Sequence, residues 1–544
     1  MKAAALLAHY ARVAEAPDAI ARLRQFVLDL AVRGKLVSQE AGDEPASLLL
    51  KRIVQEKGRL TKAGNIKPQV SVPVAGGVPF DLPAGWVKAS LNDVAVCLDY
   101  RRKPINSAER EKRIEGKGPT QLFPYYGATQ QQGWIDDYLF DEDLVLLGED
   151  GVPFFDLLRA KAYWVSGKTW VNNHAHVFKA VLTSCAFLVH YLNVFDYSGR
   201  VVGATRSKLN QARALDIPVA LPPLAEQHRI VAKVDELMAL CDRLEAARTA
   251  REATRDRLAA ASLARLNTPD PETFPADARF ALDALPALTT RPDQIKQFRQ
   301  TILNLAVGGK LVPQDRRDGR ARTDTRRDIA QDDVTNLPYG WHRTTLGAVA
   351  KEMRYGTSVK CDVSQLGVAV LRIPNVSSGV VQISDLKYGP LSESEARDLS
   401  LASGDLLLIR SNGSLDIVGR SAVVPDEAVG MAFAGYLIRV RLDTQMAVSE
   451  YVRRALSSSE VRDQIEGPIR SAVGLKNINL TEFSRLAFRL PPLAEQHRIV
   501  AKVNALMTLC DRLEASLTAA AAARTSLLEA TLRDAIAPAL DAAA

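Results

Sequence analysis

A chain of 544 residues is longer than one hydrophobic core sustains, so at least two domains with connecting elements are expected. A hydrophobic fraction of 47% with 24% charged residues of both signs excludes disorder throughout, and a net charge of +7 favours a polyanionic partner. Five cysteines (Cys97, Cys185, Cys241, Cys361, Cys510) form no close pair, which argues against disulfide frameworks and zinc modules and suits a cytoplasmic setting; no run of about 18 apolar residues signals a membrane span.

In chain order, residues 1–79 read as an N-terminal helical region that closes on LAVRGKLVSQ at 30–39. LPAGW at 82–86 opens a first globule, 80–220, whose apolar runs at 143–151 and 163–171 read as strands bounded by turns. LPPLAEQHRIVAKV at 221–234 then starts a stretch free of Gly and Pro, predicting one helix over 221–267. Residues 268–336 read as linker plus a second helical region carrying LAVGGKLVPQ at 305–314, with 268–295 and 315–336 as the linkers proper. LPYGW at 337–341 opens a second globule, 337–489, with strand-like runs at 404–413 and 435–442, and LPPLAEQHRIVAKV recurs unchanged at 490–503 to begin a C-terminal helix, 490–544. The chain is thus an internal repeat in which a near-identical frame holds two unlike inserts.

Within each long helix, apolar residues recur at alternating steps of four and three: Ile230, Val234, Leu237, Cys241 and Leu244, then Ile499, Val503, Leu506, Cys510 and Leu513. Such a narrow seam suits pairing of one helix with the other, antiparallel, as a spacer of about 60 Å. The expected class is α/β (α+β), with two globules joined by two long helices and an internal pseudo-two-fold repeat.

The inserts carry side chains suited to phosphate and base edges. In the first these are Arg101, Arg102, Lys103, Gln130, Lys168, Asn172, Asn173, His174, Arg206 and Lys208; in the second, Arg354, Lys360, Arg372, Asn375, Arg410, Asn412, Lys476 and Asn477. Signals for chemistry are incomplete. Ser166-Gly167-Lys168-Thr169 lacks the opening Gly of a phosphate loop, having Ala162 there, and His174 and His176 have no evident acidic or Cys co-ligand, so no metal site is expected. The run Asp136, Asp137, Asp141, Glu142, Asp143 carries the alternative reading, a metal-dependent DNA endonuclease with two DNA-binding domains.

The LPPLAEQHRIV helix after each insert, the GKLV and LPxGW segments, and the phrases GEDG, VSGKTWVNNHAHV and GATRSKLN together resemble type I restriction-modification specificity subunits. That resemblance implies two target-recognition domains on conserved helices that read a bipartite, asymmetric site on double-stranded DNA. It further implies assembly with two methyltransferase subunits and with restriction and translocase subunits. The chain itself would hold no cofactor and perform no catalysis, with S-adenosylmethionine, ATP and Mg on the partner subunits.

Overall fold

The computed structural model describes residues 14–68, 76–203, 207–268, 270, 272–322, 337–364, 366–470 and 476–536. They form two compact units, one comprising residues 1–251 with 520–544 and the other residues 252–519. Among the described residues no helix is long and apolar enough to cross a membrane.

In the first unit, the apolar run LVLLG forms the strand Leu144–Gly148, buried along its whole length as a central strand must be. It lies in a four-stranded sheet between Ala162–Val165 and Ala175–Ala180, with Ala95–Cys97 beyond the latter. A second four-stranded sheet runs Gln131–Ile135, Phe123–Tyr126, Lys168–Val171, Phe140–Asp141. The second unit repeats the plan: Leu406–Ile409 is its buried centre, in the order Ala350–Tyr355, Leu437–Leu442, Leu406–Ile409, Ser421–Val423. A three-stranded sheet, Lys387–Gly389, Val368–Leu371, Ala432–Phe433, stands beside it.

The repeated motifs form a clamp that is duplicated bond for bond. Each globule is closed by an antiparallel pair, Val87–Ser90 with Pro218–Leu221 and His342–Thr345 with Ala487–Leu490. The strand then meets the prolines of LPPLAEQ, which lack the N–H that continued pairing requires, and a 44-residue helix follows: Leu224–Asn267 in one copy, Leu493–Ile536 in the other. The glutamate of that motif is buried. Glu226 accepts hydrogen bonds from Trp86 Nε1 (3.0 Å) and Gln39 Nε2 (3.0 Å), and Glu495 accepts them from Trp341 Nε1 (3.0 Å) and Gln314 Nε2 (3.5 Å). The adjacent glutamine ties helix to globule: Gln227 Oε1 accepts from Ser184 N (2.9 Å), and Gln496 Oε1 from Val448 N (2.8 Å). Gly34 and Gly309 adopt positive φ (+66° and +69°), and a Cβ there would lie 2.4 Å from Pro83 Cγ or 2.5 Å from Pro338 Cγ, which is why GKLV and LPxGW recur as a pair.

The seam of each long helix begins inside its own unit. Ile230 and Val234 are buried in the core of the first unit with Leu237 packed against it, while Cys241 is buried and Leu244 half-buried. Ile499, Val503 and Cys510 lie in the core of the second unit, flanked by Leu506 and Leu513. What lies along this stretch is the short helix of the same repeat. Arg24 of Ala19–Val32 bonds Asp242 (2.7 Å) and Glu245 (2.7 Å), and Arg299 of Pro292–Val307 bonds Asp511 (2.6 Å) and Glu514 (2.7 Å). Over its first turns the four-three seam therefore also packs on a domain core and a short helix of the same unit.

The segment 268–295, expected as linker, is instead largely helical: Phe274–Asp283, Leu285–Leu288 and the start of Pro292–Val307. Pro275, Pro286 and Pro292 stand in first turns, where the missing N–H costs nothing, so they begin helices here. Ala281 and Leu288 pack with Ala259, Leu263 and Leu266. The second linker, 315–336, lies mostly outside the described residues.

Candidate nucleic-acid interface

In each globule the loops leaving the central strands converge at one edge of the main sheet. In the first, these are the turn after Ala95–Cys97, the turn after Leu144–Gly148, the approach to Ala175–Ala180, and Lys208–Leu209. Backbone bonds fix them: Glu149 N donates to His174 O (2.8 Å) and Leu209 N to Glu149 O (2.7 Å). Beneath lies a buried ionic network. Asp99 accepts from Val177 N (2.8 Å), Gln211 Nε2 (3.1 Å) and His176 Nδ1 (2.6 Å), and pairs with Arg102 (3.1 Å). Burial pushes its carboxyl up, but the bond from His176 and the charges of His176 and Arg102 outweigh this and hold it below the ordinary carboxylate range.

Asp99, Glu149 and His176 bring their donor atoms within 4.8 Å of one another, the one such trio among the described residues. The donors a cation would replace are already protein groups: Arg102 lies 2.7 Å and Lys208 3.1 Å from Glu149. His176 Nε2 faces Leu209 O at 2.8 Å, so both its ring nitrogens face acceptors and neither lone pair is open to a metal. The trio is a polar support for the edge above it. The acidic partners of His174 and His176, not evident in the sequence, are Asp150 (2.8 Å) and Asp99, brought in by fold rather than by spacing. Of the acidic run, Asp136 is paired with Arg113 (2.6 Å) and Lys117, and Glu142 with Arg101 (2.8 Å) and Lys179 (2.6 Å).

The candidate contacts divide by place. Arg101 and Arg102 are drawn into ion pairs, Asn172 is buried with Oδ1 on His174 N (2.8 Å), and Lys168 lies over the Tyr138 ring (4.7 Å). Lys103, Gln130 and Asn173 are exposed, and His174 and Lys208 stand together at the edge. Arg206 falls outside the described residues.

In the second globule, Ser411 and Asn412 pair with Asn477 and Lys476 in a short ladder, which brings Arg410, Asn412, Lys476 and Asn477 to one place. Tyr355 and Tyr436, not singled out from the sequence, complete the edge, with Tyr436 61% exposed and Arg410 packed on Tyr355. The other candidates serve elsewhere. Arg354 pairs with Glu352 (3.1 Å) and Asp398 (3.0 Å), and Asn375 is buried and donates to Gln382 O (3.0 Å) and Ser384 O (2.9 Å). Arg372 bonds Asp385 and, with Lys387 and Tyr436, lines a cleft of about 530 Å³, while Lys360 is exposed. The edge is basic and aromatic, the combination that grips phosphates and stacks or reads bases.

Residues 83–252 match the family described as the type I restriction modification DNA specificity domain. The chain is 27% identical to the Escherichia coli type I restriction enzyme EcoEI specificity subunit over 94% of its own length and 93% of that protein. It is 26% identical to the EcoAI specificity subunit of the same species, over 91% of this chain and 90% of the other. A solved chain of a type I restriction-modification system, studied for complex assembly and conformational transition, superposes with a TM-score of 0.51 at 17% identity, covering 85% of this chain and 100% of that one.

Proposed function

We infer that this relative of the type I restriction enzyme specificity subunits, which carries their DNA specificity domain at residues 83–252, selects the DNA sequence on which a restriction-modification complex acts. Residues 80–220 and 337–489 are its two target-recognition domains, each reading one half of a bipartite target. The long helices set the spacing and dock two methyltransferase subunits. Methyl transfer, ATP-driven translocation and cleavage, with their S-adenosylmethionine, ATP and Mg, belong to those and to restriction subunits in the cytoplasm, and this chain is non-catalytic.

The observation that carries this reading is the contrast between the duplicated clamp and the two unlike edges. Trp86–Glu226 and Trp341–Glu495 are the same bond at the same 3.0 Å, whereas the edge it supports is an acid-buffered His and Lys in one domain and an Arg, Asn and Tyr surface in the other. A protein that merely duplicated a stable fold has no reason to keep the clamp and let the inserts diverge.

Binding of the full chain to duplex DNA across a salt series tests the reading. Sequence-selective binding is expected, with log K falling linearly with log salt by about 0.9 per neutralised phosphate. Salt-independent association or indifference to duplex DNA overturns it, and Mg-dependent cleavage by the chain alone reopens the endonuclease reading.

A further inference from the structure

Hydrogen-bond register aligns the two recognition domains residue by residue, with no reference to side chains. The parallel pairs Tyr126 with Val171 and Leu371 with Phe433 occupy the same step of the ladder. Three residues past Val171 and Phe433 stand His174 and Tyr436. Glu149 N donates to the first (2.8 Å) and Arg410 N to the second (2.9 Å), so Glu149 and Arg410 correspond. Leu209 N bonds Glu149 O (2.7 Å) as Ile478 N bonds Arg410 O (2.9 Å), which matches Lys208 with Asn477. The pairs Cys97 with Phe178 and Met353 with Val440 likewise match Asp99 with Tyr355, two residues on.

At this edge the backbone is the same and the side chains are opposite in kind. Glu149 is consumed internally by Arg102 and Lys208. Arg410 instead lies 4.7 Å from the Tyr355 ring centroid, with Nε on Asn477 Oδ1 (3.3 Å). Among the described residues its terminal nitrogens make no hydrogen bond or ion pair. A guanidinium laid on an aromatic ring and held at Nε is oriented before binding and presents its terminal fork outward. That fork matches the O6 and N7 acceptors of guanine in the major groove.

We propose that Arg410, seated on Tyr355, is a specificity-determining residue of the second recognition domain and reads a guanine. The proposal rests on the DNA-reading function inferred above. Asp99 and Glu149 leave no such fork at the matching place in the first domain, so the two halves of the target differ there.

The test is competition binding of the full chain to duplex libraries, comparing wild type with Arg410→Gln, Arg410→Lys, Tyr355→Phe and Tyr355→Leu. Wild type is expected to prefer guanine at one position of one half-target by about 5- to 150-fold. Arg410→Gln is expected to lose that preference and leave the other half unchanged, Arg410→Lys to keep only part of it because the ammonium reaches the same acceptors without the planar fork, Tyr355→Phe to keep it, and Tyr355→Leu to weaken it. A uniform loss of affinity in Arg410→Gln with the guanine preference intact overturns the proposal and makes Arg410 a phosphate contact. A wild-type preference that survives in both Arg410 variants overturns it too, leaving DNA reading intact, whereas no sequence preference in wild type removes the inferred function and this proposal together.

Discussion

Replacement of Asp99 by Ala is expected to destabilise the first unit by about 3–5 kcal/mol, the cost of breaking a buried ion pair by removing one partner. Asp99 is 9% exposed and accepts from Val177 N, His176 and Gln211 while pairing with Arg102, so its loss strands several buried donors at once. The effect should be confined to one unit, since the matching position in the other is Tyr355. Amide hydrogen exchange separates them: Ala175–Ala180 should lose protection and Leu437–Leu442 should not. The sign of the pH dependence follows from the lowered folded value of Asp99. Its contribution is complete above the unfolded carboxylate pKa of about 3.9 and is lost as pH falls through the lower folded value, so the gap between wild type and variant should close below about pH 4. A loss shared equally by both units, or a gap that widens in acid, contradicts this account of the network.

Glu226→Ala and Glu495→Ala should each cost about 2–4 kcal/mol, from stranding an indole N–H and a glutamine amide, each worth roughly 1–3. Both carboxylates are 1% exposed and hold the same two partners, so the two variants should behave alike. They share no partner, so the double variant should be additive within about 0.5 kcal/mol. Burial pushes both carboxyls up, with the tryptophan and glutamine donors working against it. Gln at either position keeps an acceptor for the indole and should recover part of the loss. Thermal unfolding of the five variants measures all of this, and unequal effects at Glu226 and Glu495 mean that the clamp is not a duplicated device.

The frame was legible because it is written twice. Identity of 221–234 with 490–503 marks the helices, and the recurrence of GKLV and LPxGW upstream marks segments that must meet them, which the Trp–Glu–Gln clamp explains. Apolar runs such as LVLLG and LLLI read correctly as strands because a strand buried on both faces has no polar alternation. One reading failed for a physical reason: the segment 268–295, expected as linker, is largely helical, and Pro275, Pro286 and Pro292 stand in first turns of its helices. The four-three seam also serves a domain core and a short helix within each unit, a use that the period alone does not reveal. The edge was only half visible. Arg410, Asn412, Lys476 and Asn477 were singled out by residue type, but their meeting across more than 60 positions is a product of register, and so is the partnership of Asp99 with His176. Tyr355 and Tyr436 carry no local signal at all; only the ladder places them beside Arg410.

The central claim, one frame holding two independent readers, is tested most directly by exchanging residues 87–220 for those of a relative and profiling the DNA methylated in cells that carry the chain with the methyltransferase subunits proposed for it. The account predicts a bipartite adenine-methylated motif of which only one half changes on exchange. A motif that changes in both halves, or one that does not depend on this chain, contradicts it.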